Sequence, residues 1–154
     1  MPIDIKKTGK RKREGRLQMK TLVLYYSYSG RTKAIAVELA TKESADLAQI
    51  KDVKRPGKLK FFTAGIISSA RGKAWPIQPL GVDFAKYDRL ILLAPVWADN
   101  PPPPFNAMLE LLPKGKSVII KMVSMSGKSN CKERLEAAIK AKGSALEGFE
   151  DIKA

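Results

Sequence analysis

Three stretches of the chain, residues 22–26, 89–94 and 117–123, are almost wholly apolar, with Arg89 and Ser117 at their starts and Lys121 the one internal exception. A strand covered on one face alternates apolar and polar positions, whereas one covered on both faces does not alternate. These three are therefore expected in the interior of a parallel sheet. Residues 47–53 do alternate and are expected nearer an edge. Between the strands the apolar period lengthens to that of a helix. Ile35, Ala36, Leu39 and Ala40 share one face over 33–43, and Phe105, Met108, Leu109 and Leu112 share one over 104–112, with Pro104 suited to the first turn. Cys131, Leu135, Ala138 and Ile139 do the same up to residue 142, with Asn130 or Ser129 as cap and Gly143 as stop. Residues 144–149 read as a short last strand. The segment 56–87 is the least regular. Phe61, Phe62, Ile66 and Ile67 suggest a short helix over 59–70, before Gly72, Pro76, Pro79 and Gly81 interrupt the pattern.

This alternation of strand and helix predicts a three-layer α/β domain over residues 20–154, built on a parallel sheet with right-handed crossovers. In such sheets ligands bind beyond the carboxyl ends of the strands, where strand order reverses. The loops there are 27–32, 95–104 and 124–130. They offer a hydroxyl-rich turn into a helix, a tryptophan on a proline-bounded loop, and a small polar turn. That set suits a flat aromatic ligand carrying a phosphate, because the first amides of a helix have no intrahelical partner and attract anions.

Composition narrows the chemistry. The 154 residues are 44% hydrophobic, enough for a real core, and no apolar run approaches the length of a membrane span. No signal peptide is read at the N-terminus, and a cytoplasmic location is expected. Cys131 is the single cysteine, which excludes an intrachain disulfide, and its place is expected to be packing on a helix face. The absence of histidine removes Ser–His and Cys–His catalysis and histidine-bound metals, so no catalytic or metal-ligating side chain is assigned and a cofactor is expected to supply any difficult chemistry. The net charge of +14 divides into +6 over residues 1–20 and +8 over 21–154. Residues 1–19, centred on Lys10–Arg13, form a basic extension with little to bury and are expected to be a disordered arm. The arm lacks the interleaved aromatics on which single-stranded nucleic acid stacks, which disfavours that partner.

The motif Ser27-Tyr-Ser-Gly-Arg-Thr32 after the first strand resembles the phosphate loop of the flavodoxin family. The segment 87–104, with Pro95-Val-Trp97 and four prolines before the next helix, is similar to that family's third strand and first flavin loop, in a Pro-x-Trp branch. Residues 116–127 are similar to the fourth strand and second flavin loop. The resemblance spans about 20–150 and implies a flavodoxin-like sandwich with five parallel strands in the order 2-1-3-4-5. It implies non-covalent binding of FMN, with Ser27, Ser29 and Thr32 giving hydroxyls to the phosphate, Gly30 admitting it closely, and the amides of Tyr28 to Lys33, with Arg31, adding donors. Trp97 would stack on or flank the ring, Pro95, Val96, Ala98, Asp99 and Asn100 would line it, and Ser126 and Gly127 would lie along its opposite edge. Trp75 is expected instead as a core plug.

The chain departs from the family in three ways. Ser124-Met-Ser-Gly-Lys128 has no aromatic residue, the domain is basic where electron carriers are acidic, and the closing helix is missing. The last departure leaves part of the sheet for a partner, so a homodimer is expected. A basic surround favours the added charge of reduced flavin. The first reading is electron transfer to a redox partner protein or a small quinone-like substrate, as carrier or small reductase. The alternative is a flavodoxin-fold binding module without cofactor, whose basic surface contacts nucleic acid or an acidic protein.

Overall fold

Five strands lie side by side in the order β2-β1-β3-β4-β5, all parallel. The computed structural model describes residues 19–154, so the arm expected over 1–19 falls outside the described residues except for Met19. Element order is β1 (Thr21–Tyr25), α1 (Arg31–Lys42), β2 (Asp46–Gln49), α2 (Lys58–Lys60), a π-helical turn (Phe61–Gly65) and α3 (Ile66–Ala70). A 3-10 turn (Phe84–Lys86), β3 (Arg89–Pro95), α4 (Pro103–Glu110), β4 (Ser117–Ser124), α5 (Lys132–Ala141) and β5 (Ala145–Lys153) follow. This is the flavodoxin-like α/β sandwich, with its reversal of strand order between β1 and β3.

Burial on both faces explains the apolar runs of β1 and β3. β4, expected to be covered in the same way, alternates instead, with Val118, Ile120 and Met122 buried and Ser117, Ile119 and Lys121 only partly so. β1 is buried from end to end and β3 from Leu90 to Ala94. Strand alternation sends Leu22, Leu24, Leu90, Leu92, Val118 and Ile120 to one face, where Phe105 and Met108 of α4 and Leu135 and Ile139 of α5 complete the larger core. Val23, Tyr25, Ile91 and Leu93 go to the other face and meet Ala36 and Ala40 of α1. Tyr25 and Tyr26 thus serve opposite layers.

Over β4 and β5 the second face carries no helix among the described residues. It holds instead an ion pair, Lys121 Nζ to Glu150 at 2.6 Å, beside Ile119 and Ile152. Charges on such a face suit it to water and discourage stray pairing.

Several boundaries differ from expectation. β2 ends at Gln49, after which Ile50 is buried and its amide donates to the Tyr25 carbonyl at 2.7 Å. β5 is nine residues long and pairs with β4 as far as Ser124–Lys153, because a register shift after Val118 lets it follow the whole of β4. Neither Ser129 nor Asn130 caps α5. Cys131 holds the cap position, while the Ser129 hydroxyl donates to Asp151 at 2.6 Å and the Asn130 amide donates to the Asp99 carbonyl at 3.0 Å. The helix expected over 59–70 is present with a π-turn at its centre, where a Cβ on Gly65 would stand 3.3 Å from the Trp97 ring and 3.5 Å from the Trp75 ring. A glycine here lets both indoles lie against the turn.

Candidate functional site

β1 delivers its carboxyl end into the turn Ser27–Gly30. The Ser27 hydroxyl accepts the Gly30 amide at 3.0 Å, and Gly30 takes the left-handed conformation, φ 99°, that reverses the chain into α1. The first helical bond of α1 is Ala34 N–H to the Gly30 carbonyl, 3.1 Å, so the amides of residues 31–33 precede it. No side chain caps this end and its first turn contains no acid. Ser29, Gly30 and Arg31 are exposed, and a Cβ at Gly30 would meet nothing within 4 Å. Thr32 is buried. The turn is therefore an open cradle of amides at the positive end of a helix dipole.

Tyr28 leans away from this turn. Its hydroxyl donates to the Pro56 carbonyl at 3.0 Å, its own carbonyl accepts from Arg55 at 2.7 Å, and the Arg55 guanidinium lies 4.2 Å from its ring centroid. Tyr26 donates from its hydroxyl to Asp52 at 2.8 Å. Burial, with the hydrogen bond to Asp52, pushes the Tyr26 phenol well above its usual value. Burial likewise raises the Asp52 carboxyl, outweighing the hydrogen bond from Tyr26 and the nearby Arg55 and Lys60 charges.

The second loop leaves β3 at Pro95. The Val96 amide donates to the Val123 carbonyl, which keeps this loop beside β4. Trp97 and Asn100 then exchange two backbone bonds, 2.7 and 3.0 Å, around Ala98 and Asp99, whose φ values are 51° and 62°. Two left-handed residues in a two-residue connection make a type I′ turn, which ordinarily asks for Asn-Gly. The Asn100 side chain donates to the Ala98 carbonyl at 2.7 Å.

Trp97 is placed otherwise than a stacking residue requires. It is only 4% exposed and meets Tyr26 and Tyr28 edge to face at 6.0 and 5.8 Å, with Gly65 behind it. Of the two placements expected for this ring, stacking on a ligand or flanking it, its burial leaves no open face for the first. The apolar side chains of Tyr26, Tyr28 and Trp97 pack best against one another, so the indole turns inward. Trp75 is half-buried against the core with Lys60 Nζ 4.7 Å above its ring, close to the plug expected of it.

The third loop is a hydroxyl knot. The Ser124 hydroxyl accepts the amides of Gly127 and Lys128 at 2.9 and 3.2 Å, and Ser126 also accepts from Lys128. Gly127 has φ 71°, and a Cβ there would lie 2.9 Å from Lys153 Cβ, so its backbone freedom serves the packing of β5 as well as the turn. Cys131 is buried, which raises its thiol pKa, and it acts as packing. The bond between Asn130 and Asp99 fastens the second and third loops together, and the Tyr28–Trp97 contact fastens the first to the second.

Three residues of this mouth were not assigned from the sequence. Arg55 lies between the strand expected over 47–53 and the irregular segment 56–87, and the adjacent cations Lys54 and Arg55 were its only signal. Met125 is 74% exposed in the third loop, and its only signal was an apolar residue inside a polar turn. Asn130 acts through its backbone, which a sequence does not reveal.

No family model and no curated protein matches this chain. Among solved structures it is similar to a flavoprotein in complex with FMN from Lactobacillus acidophilus NCFM, with TM-score 0.72, 23% identity, and 86% of this chain and 92% of that chain covered. It is also similar to the apo-form of the flavoprotein from that organism, with TM-score 0.61, 22% identity and coverage of 88% and 95%. A flavodoxin, WrbA-like protein from Agrobacterium tumefaciens superposes with TM-score 0.55, 15% identity and coverage of 83% and 76%. At these identities the likeness establishes the fold.

Proposed function

We propose that this chain binds FMN non-covalently at the mouth of its sheet and passes electrons to an acidic protein partner or a small quinone-like substrate. The observation that carries this reading is the start of α1, where successive amides without cap or acid stand behind an open glycine. The donor set fits a phosphate ester. The amides of Arg31, Thr32 and Lys33 and the hydroxyl of Ser29 would hold the phosphate, and Arg31 and Lys33 would neutralise it. The turn Trp97–Asn100 would present its backbone to the ring. Met125 would offer the apolar surface that an aromatic residue gives in related proteins, and Trp97 a fixed edge. Bound FMN would supply the hydride and electron chemistry; the chain binds, orients and excludes water, and its lack of histidine is no obstacle.

The partner follows from charge. Lys54, Arg55, Lys58 and Lys60 stand on the loop and helix beside the first loop, and Lys128 stands on the third. The side-chain ion pairs among the described residues, Lys20–Asp46, Arg89–Glu43 and Lys121–Glu150, all lie elsewhere. Asp52 and Asp151 are engaged by Tyr26 and Ser129. The rim also exposes Val53, Leu59 and Met125. Apolar contacts within a cationic border suit an acidic protein surface.

The buried Trp97 ring favours a second reading, a binding module without cofactor that uses the same rim. Titration of the purified protein with FMN, followed by flavin fluorescence and visible absorption, separates the two. Saturable quenching at one FMN per chain is expected. Absence of quenching, together with salt-sensitive binding of an acidic protein, would leave the second reading standing.

A further inference from the structure

The large core is bordered by a cavity of about 400 Å³ that shares no residue with the mouth. Its apolar wall is made by Leu109 of α4 with Leu135 and Ala138 of α5, and its other side by the chain just after α3, at Arg71 and Gly72. Two hydrogen bonds hold that side in place. Asn106 Nδ2 donates to the Lys73 carbonyl at 2.9 Å, and the Trp75 amide donates to the Pro103 carbonyl at 3.3 Å.

Arg134 lines this cavity, and its Nη2 is shut away from solvent with no hydrogen-bond partner in the protein. Ser69 Oγ, in α3 just before Gly72, is in the same condition. Of the three buried side-chain atoms without partners among the described residues, Arg134 Nη2 is the one whose residue lines this cavity. A buried guanidinium N–H without an acceptor is among the more costly arrangements a fold can carry. The guanidinium lies close against Gly72, where a Cβ would stand 2.8 Å from Arg134 Nη1. Left-handed Gly72, φ 67°, lets the backbone close over the fork. Around the opening, Arg71 and Lys142 outnumber Glu110.

We infer that the cavity between α3, α4 and α5 binds a small organic anion, an apolar body bearing one carboxylate that pairs with Arg134. A planar guanidinium matches a carboxylate with two parallel hydrogen bonds, and the leucine and alanine wall accepts the rest of the molecule. The volume falls within the range of small-molecule sites, roughly 300–1,000 Å³. This inference is independent of flavin binding.

The test is a two-dimensional ¹H–¹⁵N NMR titration of the full chain with sodium hexanoate, and in parallel with 1-hexanol and inorganic phosphate. Hexanoate is expected to shift the amides of Gly72, Leu109, Arg134 and Ala138 saturably, and at least about tenfold more tightly than hexanol. In Arg134→Gln, binding should weaken at least about tenfold with an otherwise unchanged spectrum. Should that variant fail to fold, Ala138→Leu, which narrows the cavity and leaves the guanidinium in place, is expected to weaken hexanoate similarly. Equal binding of hexanol, shifts confined to residues 27–32, phosphate competing fully at equal concentration, or a crystal structure with water alone on Arg134 and no response to hexanoate would each overturn the inference.

Discussion

Ala98 and Asp99 both sit in the left-handed region, where an L-residue costs about 1–2 kcal/mol. The paired Trp97–Asn100 backbone bonds and the Asn100 side chain on the Ala98 carbonyl hold the turn against that cost, and strain of this kind concentrates at ligand-binding loops. The sequence displayed the residues of the turn without displaying its dihedrals, because neither Ala nor Asp signals positive φ as glycine does. Gly30 was legible for the opposite reason, since a glycine between two hydroxyl residues at a strand end has few other uses. Asp52 was not legible, because its environment comes from Tyr26, Arg55 and Lys60 folding around it. Its carboxyl is raised by burial above the usual 3.8, so the folded chain holds that proton more tightly than the unfolded chain. The contribution to stability is then fully present below the unfolded value and is lost as pH rises through the folded value. Asp52→Asn retains an oxygen for the Tyr26 hydroxyl and cannot ionise. In urea unfolding, its stability relative to wild type is expected to be greater at pH 7 than at about pH 3.5. A difference that does not change with pH would reject this account.

Among the elements, the starts of the helices divide the labour. α4 begins with prolines that have no amide to offer, α5 begins at Cys131 with Glu133 in its first turn, and α1 alone of these three begins with free amides and no acid. Arg31→Asp tests what that end is for. An acid in the first turn should stabilise α1 by about 0.3–1 kcal/mol through the dipole. The same carboxylate occupies the anion cradle and should weaken FMN by at least about tenfold, or about 1.4 kcal/mol. Thermal melting and FMN titration of one variant should therefore move in opposite directions, and parallel losses would show that the mutation merely unfolds the turn. The strands and three main helices were readable from periodicity, because each buries one or two whole faces. Less readable was the stretch from Lys58 to Ala70, where a π-turn forms so that two tryptophans, one of them 32 residues downstream of Gly65, can lie on a glycine. Local pattern does not carry a constraint imposed from so far away.

On the scale of the whole molecule, charge and topology act together. The crossovers gather Arg31, Lys33, Lys54, Arg55, Lys58 and Lys60 at one end of the sheet, while two of the ion pairs that consume acids form at the opposite end and the third on the uncovered face. Reduction adds negative charge, which a cationic rim stabilises over a Debye length of about 10 Å at 0.1 M salt. The FMN-loaded protein is expected to show a less negative potential than acidic carriers, and Lys58→Glu with Lys60→Glu should lower it by roughly tens of millivolts at low salt. Potentiometric titration checks this, and an unchanged potential in the double variant would refute it. The amino-acid sequence by itself determined the layers and the three loops that meet at the mouth, because these follow from short-range periodicity and from the handedness of crossovers. The strand order came only with the resemblance of those loops to the flavodoxin family, and the pairing of the strands bears it out. Only the tertiary structure decided that Trp97 turns inward, that Met125 is left outside, and that Arg134 is sealed beside a cavity. Those outcomes depend on how side chains distant in the chain compete for the same buried volume, and no local pattern encodes the result of that competition.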